Sequence, residues 1–383
     1  MVMPGTDLFR FSPYKTAQFP IGTGLSQTSL VKLETVDGSP LPPGISVTSL
    51  ADVGHGFEAL AHAAAENSDP VFVMARQSPS APLVIGVSAG VRVSTPLRLS
   101  FRESDDRLPE GTLAQSAEVH LILGEGASVT VLEDWNVSRL ICEHTVVILN
   151  QVLAPGATLD LGRMVHGRPR DGSARFFVRA KLGLRAQSTA RTSTLLMGGD
   201  ATQIRAVTEL HEEAASITAS HLIVGERHQH LDLAAEVHHH GRKTQSDLRA
   251  NYFLSDESVG VFNGTVWIHP KAAGSKAYQK SRCLLASDKA KMHALPKLEI
   301  LTDDVQCAHG ASVSPLETEH LFYLESRGFS RPEAEHWLRL GFVRSALELV
   351  TSPTLKAEWI TCLESERGFV FGDAMGAPGG DDA

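Results

Sequence analysis

Histidine is the residue type that first suggests chemistry in this chain. The sequence has 17 histidines, and seven of them lie between His211 and His240. Side chains two positions apart on a β-strand point to the same face, so His238 with His240, or His228 with His230, is spaced to chelate one metal ion. No H-E-x-x-H motif accompanies them, and the alternative is that they lie on the surface of a β-structure without a ligand. We expect at most an accessory metal role, at His238 and His240.

The second candidate pair is Cys307 and His309. On an extended strand both side chains point the same way and offer one sulfur and one imidazole to iron, zinc or a cluster edge. The same pair could instead be a nucleophile with its base. A single Cys-x-His spacing is a weak signal, so a buried cysteine beside a structural histidine is the third interpretation.

Other catalytic motifs are missing from the sequence. There is no G-x-x-x-x-G-K-[ST] string, and Gly198-Gly199-Asp200 lacks the strand-to-helix context of a nucleotide loop. The string Gly86-Val87-Ser88-Ala89-Gly90 matches G-x-S-x-G, but a strand-like segment follows it where a nucleophile elbow needs a helix. The sequence therefore predicts that the chain is not itself an NTPase.

Composition excludes several classes of protein. Acidic residues outnumber basic ones by 44 to 35, the formal net charge is -9, and there is no basic block, which argues against nucleic-acid binding. The apolar runs are too short for a membrane helix, and the first residues do not resemble a signal peptide. The four cysteines are widely separated, so neither a disulfide scaffold nor a zinc ribbon is encoded. We expect a cytoplasmic protein that contacts no membrane.

The elements that must position these residues are predicted by a repeat between residues 82 and 313. Short strand-like segments begin with a small residue and recur every 29 or 30 positions. They start at Ala127, Ala157, Ala186 and Ala215, and more weakly at Thr244 and Ala273. This period, without helices between the strands, favours a β-solenoid whose successive coils pair in parallel. An antiparallel sandwich with hairpins of equal length is the alternative.

The segments on either side of the repeat have different compositions. Residues 1–81 are rich in Pro and Gly and predict an irregular region with one short helix at Phe57–Ala65. Residues 314–370 predict three helices, one over Leu316–Arg327, a second opened by the capping box Ser330–Glu333, and a third near Ser352. We expect residues 371–383, rich in Gly and Asp, to form a disordered tail.

Four strings towards the end of the chain carry a family resemblance. They are Val261-Phe262-Asn263-Gly264, Leu284-Leu285, the run from Pro296 to Ala311 that contains P-x-L-E-I and D-D-V-x-C-x-H-G-A, and the run from Leu321 to Gly328. Together they resemble the SufB/SufD family of iron-sulfur cluster assembly proteins, with the SufD branch closer. The resemblance covers about residues 82 to 350. It implies a right-handed parallel β-helix with C-terminal helices, in agreement with the repeat.

The resemblance also implies a function. Members of this family are non-enzymatic scaffolds that support iron acquisition and cluster assembly. A SufD-like chain pairs with a SufB-like subunit through the β-helix and binds a SufC-type ATPase through its C-terminal helices. The resemblance places Cys307 and His309 at the SufB interface, where iron or a nascent cluster is held transiently, and implies no intrinsic cofactor. The residues expected to contact the ATPase are Leu316, Phe322, Tyr323, Arg327, Trp337 and Phe342.

Some positions depart from the family pattern. SufB-like members carry a cysteine where this chain has Ser281, so Cys283 does not inherit a cluster role. His309 is flanked by Ala308 and Gly310, not by acidic residues, which favours SufD over SufB. The N-terminal region is shorter than in longer members. Alternatives that stay open are a solenoid metalloenzyme using the histidines, a purely structural subunit with an inert Cys307, and a homodimer of the isolated chain.

Overall fold

The structure, a computed structural model, describes residues 31–49, 71, 82–101, 114–139, 144–168 and 175–371. Its strands are β1 (Val31–Thr35), β2 (Ile45–Ser49), β3 (Leu83–Val87), β4 (Leu97–Phe101), β5 (Ala114–Leu123), β6 (Ser128–Asn136), β7 (His144–Leu153), β8 (Thr158–His166), β9 (Arg175–Leu184), β10 (Thr189–Leu196), β11 (Ala201–Leu210), β12 (Ser216–Gly225), β13 (His230–His239), β14 (Gln245–Leu254), β15 (Val259–Ile268), β16 (Ser275–Leu285), β17 (Lys291–Ile300) and β18 (Val305–Pro315). Its helices are α1 (Thr318–Glu325), α2 (Arg331–Leu347) and α3 (Pro353–Arg367), besides a single 3-10 turn at Val137–Arg139.

The strands form two sheets of nine strands that face each other. The even-strand sheet runs β1-β4-β6-β8-β10-β12-β14-β16-β18, and the odd-strand sheet runs β2-β3-β5-β7-β9-β11-β13-β15-β17. From β3 onward every neighbouring pair is parallel, as in β10 with β12 and β13 with β15. The chain therefore alternates between the sheets, one coil at a time. This confirms the predicted parallel solenoid and excludes the antiparallel sandwich.

The space between the sheets is filled by stacked apolar side chains. Val178, Ile204, Leu233 and Phe262 lie at equivalent positions of consecutive coils and are all buried. A fully buried aliphatic or aromatic side chain contributes about 1.5–3 kcal/mol to stability. Because every coil repeats this arrangement, one continuous core runs along the solenoid.

Each coil enters its even-numbered strand through the same corner. The corner residue has a positive φ, 68° at Gly156 and 60° at Ala214, and the small residue that follows it is fully buried. This buried position explains the echo of small residues in the sequence. The predicted starts at Ala186 and Ala273 are two residues too early, because the strand pairing places Ser188 and Ser275 at that corner. In this register Thr158 pairs with Thr189, and Gln245 pairs with Lys276.

The two ends of the solenoid differ. At one end β1 pairs antiparallel with β4, and β2 pairs antiparallel with β3. Residues 31–49, which the sequence predicts to be irregular, thus form two short strands, because each alternates polar and apolar residues between turns. At the other end, no described strand pairs beyond β17 and β18. The predicted helix at Phe57–Ala65 and the predicted tail beyond residue 371 lie outside the described residues.

The three C-terminal helices are present as predicted. The capping box of Ser330 and Glu333 opens α2, and Ser352 caps the start of α3. Helices α2 and α3 cover the outer face of the even-strand sheet, where Leu340 and Trp359 pack into a second apolar cluster with Leu195. Within the described part of the chain, no helix has the length and apolar composition needed to cross a membrane.

Candidate functional site

Cys307 and His309 lie on β18, the last strand of the even-strand sheet. Cys307 pairs with Ala277 and His309 with Gln279, both of which point into the solenoid and are buried. The two side chains of β18 therefore share the inward direction, as the spacing predicts. No described coil covers them. Cys307 is half-buried against the core, while His309 is exposed.

The inward-facing side chains of the last coil form what we call the terminal face. It consists of Met292, Ala294, Pro296, Leu298 and Ile300 from β17, and Val305, Cys307, His309, Ala311 and Val313 from β18. One coil earlier, the equivalent positions are held by Ile268 and Cys283, which are buried, whereas Ile300 is 43% and Val313 46% exposed. The terminal face is thus an uncovered section of the core that carries one thiol and one imidazole.

The environment of the two cysteines near this end differs. Partial burial raises the pKa of the Cys307 thiol, so it remains largely protonated near neutral pH unless a metal displaces the proton. Cys283 points into the solenoid, and its burial raises the pKa of that thiol to about 12. Cys283 is therefore in the environment of an inert structural thiol. Ser281, where a SufB-like chain has cysteine, is buried as well.

The predicted ATPase-contact residues fall into two groups. Phe322 and Tyr323 on α1 are 70% and 56% exposed, and the guanidinium of Arg327 lies 5.1 Å from the ring centroid of Tyr323. The other three are half-buried at the junction of solenoid and helices. Leu316 and Phe342 line an open groove of ≈ 350 Å³ between β18 and α2, and Trp337 packs edge-on against Phe329.

The structure brings His238 and His240 together with His269, and we call these three residues the histidine cluster. One ligand atom from each lies within 4.8 Å of the others. The remaining predicted candidates do not join them. His228 is 81% exposed and pairs with Glu257, and His230 begins β13, at the opposite end of the strand from His238.

The sequence prediction missed His269, although the repeat contains the signal. His240 and His269 are 29 residues apart, which is one coil, and the backbone N–H of His269 donates to the carbonyl oxygen of His239 in the preceding coil. His211 stands one coil earlier still, and its ring stacks on His240 with 5.6 Å between centroids. Searching for histidines separated by the coil length would have found this column.

Carboxylates lie beside two members of the cluster. Oε2 of Glu209 is 2.6 Å from Nε2 of His240, and Oε2 of Glu236 is 3.8 Å from Nε2 of His238. Burial would raise the pKa of Glu209, but hydrogen bonding to His240 and the charge of His238 lower it overall. Burial would likewise raise the pKa of Glu236, but His238 and Arg205 lower it overall. Both acids are therefore ionised near neutral pH.

A separate histidine, His166, joins the solenoid to α3. Its Nε2 lies 2.8 Å from Oδ1 of Asp134, and its Nδ1 lies 2.6 Å from Oε1 of Glu366. We call Asp134, His166 and Glu366 the α3 seam. Nothing in the sequence pattern singled out His166, because its partner Glu366 is 200 residues away along the chain.

Comparison with known proteins assigns the solenoid to a family. The family described as "SUF system FeS cluster assembly, SufBD core domain" matches residues 106–342, from just before β5 into α2.

Individual relatives agree with this match. The iron-sulfur cluster assembly protein SufD of Escherichia coli is 26% identical over 280 residues, 72% of this chain and 64% of that protein. The SufD of Bacillus subtilis is 26% identical over 285 residues, 73% of this chain and 62% of that protein. The SufB of Bacillus subtilis is 25% identical over 289 residues, 68% of this chain and 54% of that protein. The matched region spans less than two thirds of each of these relatives.

Proposed function

The chain belongs to the SufBD core family of the SUF system for iron-sulfur cluster assembly, and from this membership we propose that it is a SufD-like scaffold subunit and not an enzyme. Two relatives named SufD and one named SufB match this chain. In this proposal the chain pairs with a SufB-like subunit through the terminal face. A SufC-type ATPase binds at α1 and α2.

The observation that carries the proposal is the terminal face itself. An apolar section of core, with a strand edge that no described strand pairs with, favours pairing with another β-structure. A second solenoid docked there would extend both sheets and remove water from Cys307 and His309. A thiolate and an imidazole in a dry interface are suitable ligands for iron or for one edge of a cluster. Iron or a cluster is then cargo that is shared between two subunits.

The surface of α1 and α2 supports the second contact. Phe322 and Tyr323 are large, adjacent and mostly exposed, and they lie next to the groove lined by Leu316 and Phe342. Exposed aromatic side chains beside a concave surface are typical anchors of protein interfaces. The ATPase partner would supply the nucleotide chemistry for which this chain has no phosphate-binding motif.

The alternative of a metalloenzyme is less well supported at this end of the molecule. A catalytic pocket needs polar groups that converge on the ligand. On the terminal face the same-side neighbours of Cys307 along β18 are Val305 and His309, and β17 contributes only apolar side chains, such as Leu298. A purely structural subunit would use the same interface. Only an experiment on Cys307 and His309 can distinguish it from a subunit that binds iron.

The test is to co-express this chain with the SufB-like and SufC-like proteins of its source and to measure the mass of the complex by chromatography with light scattering. We expect a complex of all three proteins. Val313→Asp places a charge on the terminal face and should abolish pairing without unfolding the chain, because Val313 is exposed. The matched control is Val47→Asp, which changes a similarly exposed valine on β2 at the opposite end of the solenoid.

The ligand role is tested in the complexes that still assemble. With Cys307→Ser or His309→Ala we expect the complex to form but its bound iron to fall at least about 10-fold. Unchanged iron content would support a purely structural subunit. Failure to assemble with the wild-type chain, or loss of pairing with Val47→Asp as well as Val313→Asp, would contradict the proposal. Light scattering of the isolated chain shows whether the same face forms a homodimer.

A further inference from the structure

The histidine cluster is built by the regular stacking of coils. His238 lies on β13, between Glu209 of β11 and Trp267 of β15. His240 directly follows β13 and His269 directly follows β15. Because these positions are one coil apart, the two rings stack with 4.2 Å between centroids. The cluster thus rests on two adjacent coils whose backbones are hydrogen-bonded to each other. It lies one coil inside the terminal coil, on the sheet opposite to Cys307.

We propose that His238, His240 and His269 bind a divalent first-row transition metal ion. Nδ1 of His238 is 3.4 Å from Nε2 of His269. Two nitrogens that bind one tetrahedral zinc ion at about 2.0–2.1 Å lie about 3.3 Å apart. This pair is therefore already at the separation that a metal requires. A ligand nitrogen of His240 lies within 4.8 Å of both.

The neighbouring carboxylates complete the arrangement of a metal site. Histidines that bind metal usually donate the second ring N–H to a carboxylate, which fixes the tautomer and orients the ring. Glu209 stands in that position for Nε2 of His240, and Glu236 faces Nε2 of His238. Glu236 is itself held by Arg205, 3.2 Å away. Nδ1 of His238, directed at His269, is thus the nitrogen left for the metal.

Binding requires the rings to rotate out of their parallel stack, because parallel rings cannot direct their lone pairs at one ion. The lone pair of an imidazole nitrogen lies in the ring plane, and the planes of His240 and His269 are only 15° from parallel. Rotation about χ2 makes the lone pairs converge, and this torsion has a broad and shallow minimum in histidine. His238 and His240 are partly exposed, so an ion can enter from solvent and a water molecule can fill the remaining position.

The ligand chemistry selects the class of metal. Three imidazoles suit zinc, iron, nickel or copper, whereas magnesium and calcium prefer oxygen ligands. The proposed site contains no sulfur, which distinguishes it from a site at Cys307. The inference does not depend on the proposed function, because the cluster lies on different strands and none of its residues belongs to the terminal face.

The test uses untagged, chelator-treated chain carrying Cys307→Ser, so that the thiol of the terminal face does not contribute. Cobalt(II) is titrated and followed by visible absorption, and zinc stoichiometry is measured by equilibrium dialysis. We expect one ion per chain, with tetrahedral cobalt bands and no sulfur-to-cobalt charge-transfer band. His269→Asn should weaken binding at least about 100-fold. The matched control His228→Asn, an exposed histidine outside the cluster, should leave the affinity unchanged.

A second measurement needs no variant. The chain is treated with diethyl pyrocarbonate with and without zinc, and the modified histidines are mapped by mass spectrometry. Zinc should reduce the modification of His238, His240 and His269, whereas His228 should be modified equally in both samples. The proposal is overturned if the chain binds no cobalt or zinc. It is also overturned if His269→Asn, shown to be folded by circular dichroism, binds as tightly as the parent, or if zinc protects His228 as strongly as the cluster.

Discussion

Two groups of histidines on this solenoid differ in how many carboxylates lie against each imidazole. In the α3 seam, one imidazole lies between the carboxylates of Asp134 and Glu366. Burial by itself would lower the pKa of His166, but hydrogen bonds with Asp134, Cys362 and Glu366 raise it to about 11. In the histidine cluster, burial and the neighbouring imidazoles lower the pKa of His269. The two carboxylates therefore make His166 a cation despite its burial, whereas the surroundings of His269 favour its neutral form.

This difference separates a structural role from a ligand role. His166, Cys362 and Glu366 also converge within 4.8 Å, but both nitrogens of His166 are already paired with carboxylates. A metal at the seam would have to displace these ion pairs. The seam instead fastens α3, with help from Arg98, whose guanidinium lies 2.6 Å from Glu358 of that helix.

His166→Gln should destabilise the chain more than any other substitution considered for these histidines. The substitution removes the cation and leaves two carboxylates facing each other beneath α3. Removing one partner of a buried ion pair typically costs about 3–5 kcal/mol, and because the seam is partly exposed we expect about 3 kcal/mol. Urea unfolding monitored by tryptophan fluorescence measures the loss, with His228→Gln as the control. A loss as small as that of the control would show that the cation does not hold the helix.

The pH dependence of the seam should have a defined sign. The pKa of His166 is about 11 in the folded chain and about 6.5 in the unfolded chain. Its contribution to stability is therefore complete below about pH 6.5 and is lost as the pH rises towards 11. The free energy of unfolding of the wild type, minus that of His166→Gln, should fall by up to about 1.4 kcal/mol per pH unit in this window. A difference independent of pH from 7 to 10 would contradict the charged state.

His221 is buried without a carboxylate bonded to its ring among the described residues. It points into the solenoid from β12 and is fully buried, and neither of its ring nitrogens has a hydrogen-bond partner among the described residues. Burial and, secondarily, the charge of Arg163 lower its pKa to about 3. His221→Leu removes a polar group that has no partner, so stability at neutral pH should change by less than about 1 kcal/mol.

The effect of His221 on stability should depend on pH below about 6.5. Because the folded pKa of His221 is about 3 and its unfolded pKa about 6.5, the wild type should lose stability as the pH falls below 6.5. His221→Leu should lose less over the same range, by up to about 1.4 kcal/mol per pH unit. Chemical unfolding of both chains between pH 7 and pH 5 measures this, and parallel pH profiles would contradict a neutral buried His221.

The parts of the molecule that could be predicted from sequence are those set by local spacing. The coil length predicted the parallel solenoid, and the capping box of Ser330 and Glu333 predicted the start of α2. The two-residue spacing of Cys307 and His309 predicted that they share a face. Each of these depends on one strand, one helix turn or one repeat, so no distant contact had to be known.

The parts that could not be predicted depend on contacts between distant segments or on uneven coils. Thr158 and Thr189 pair 31 residues apart, while Thr189 and Ser216 pair 27 residues apart, so a fixed period misplaces a corner. The charge of His166 depends on Glu366 in a helix at the other end of the chain. The terminal face could be recognised only from the structure, in which β17 and β18 are the last described strands of their sheets.

The smallest effect we expect is that of His211→Asn, which tests whether stacking or convergence defines the histidine cluster. His211 stacks on His240, yet it is not among the three residues whose ligand atoms converge. The free energy of unfolding should change by no more than about 0.5 kcal/mol. Cobalt affinity should stay close to that of the parent, whereas His269→Asn should lose most of it. If both variants lost affinity equally, the metal would be bound by the column of His211, His240 and His269, and the carboxylate beside His238 would have no part in the site.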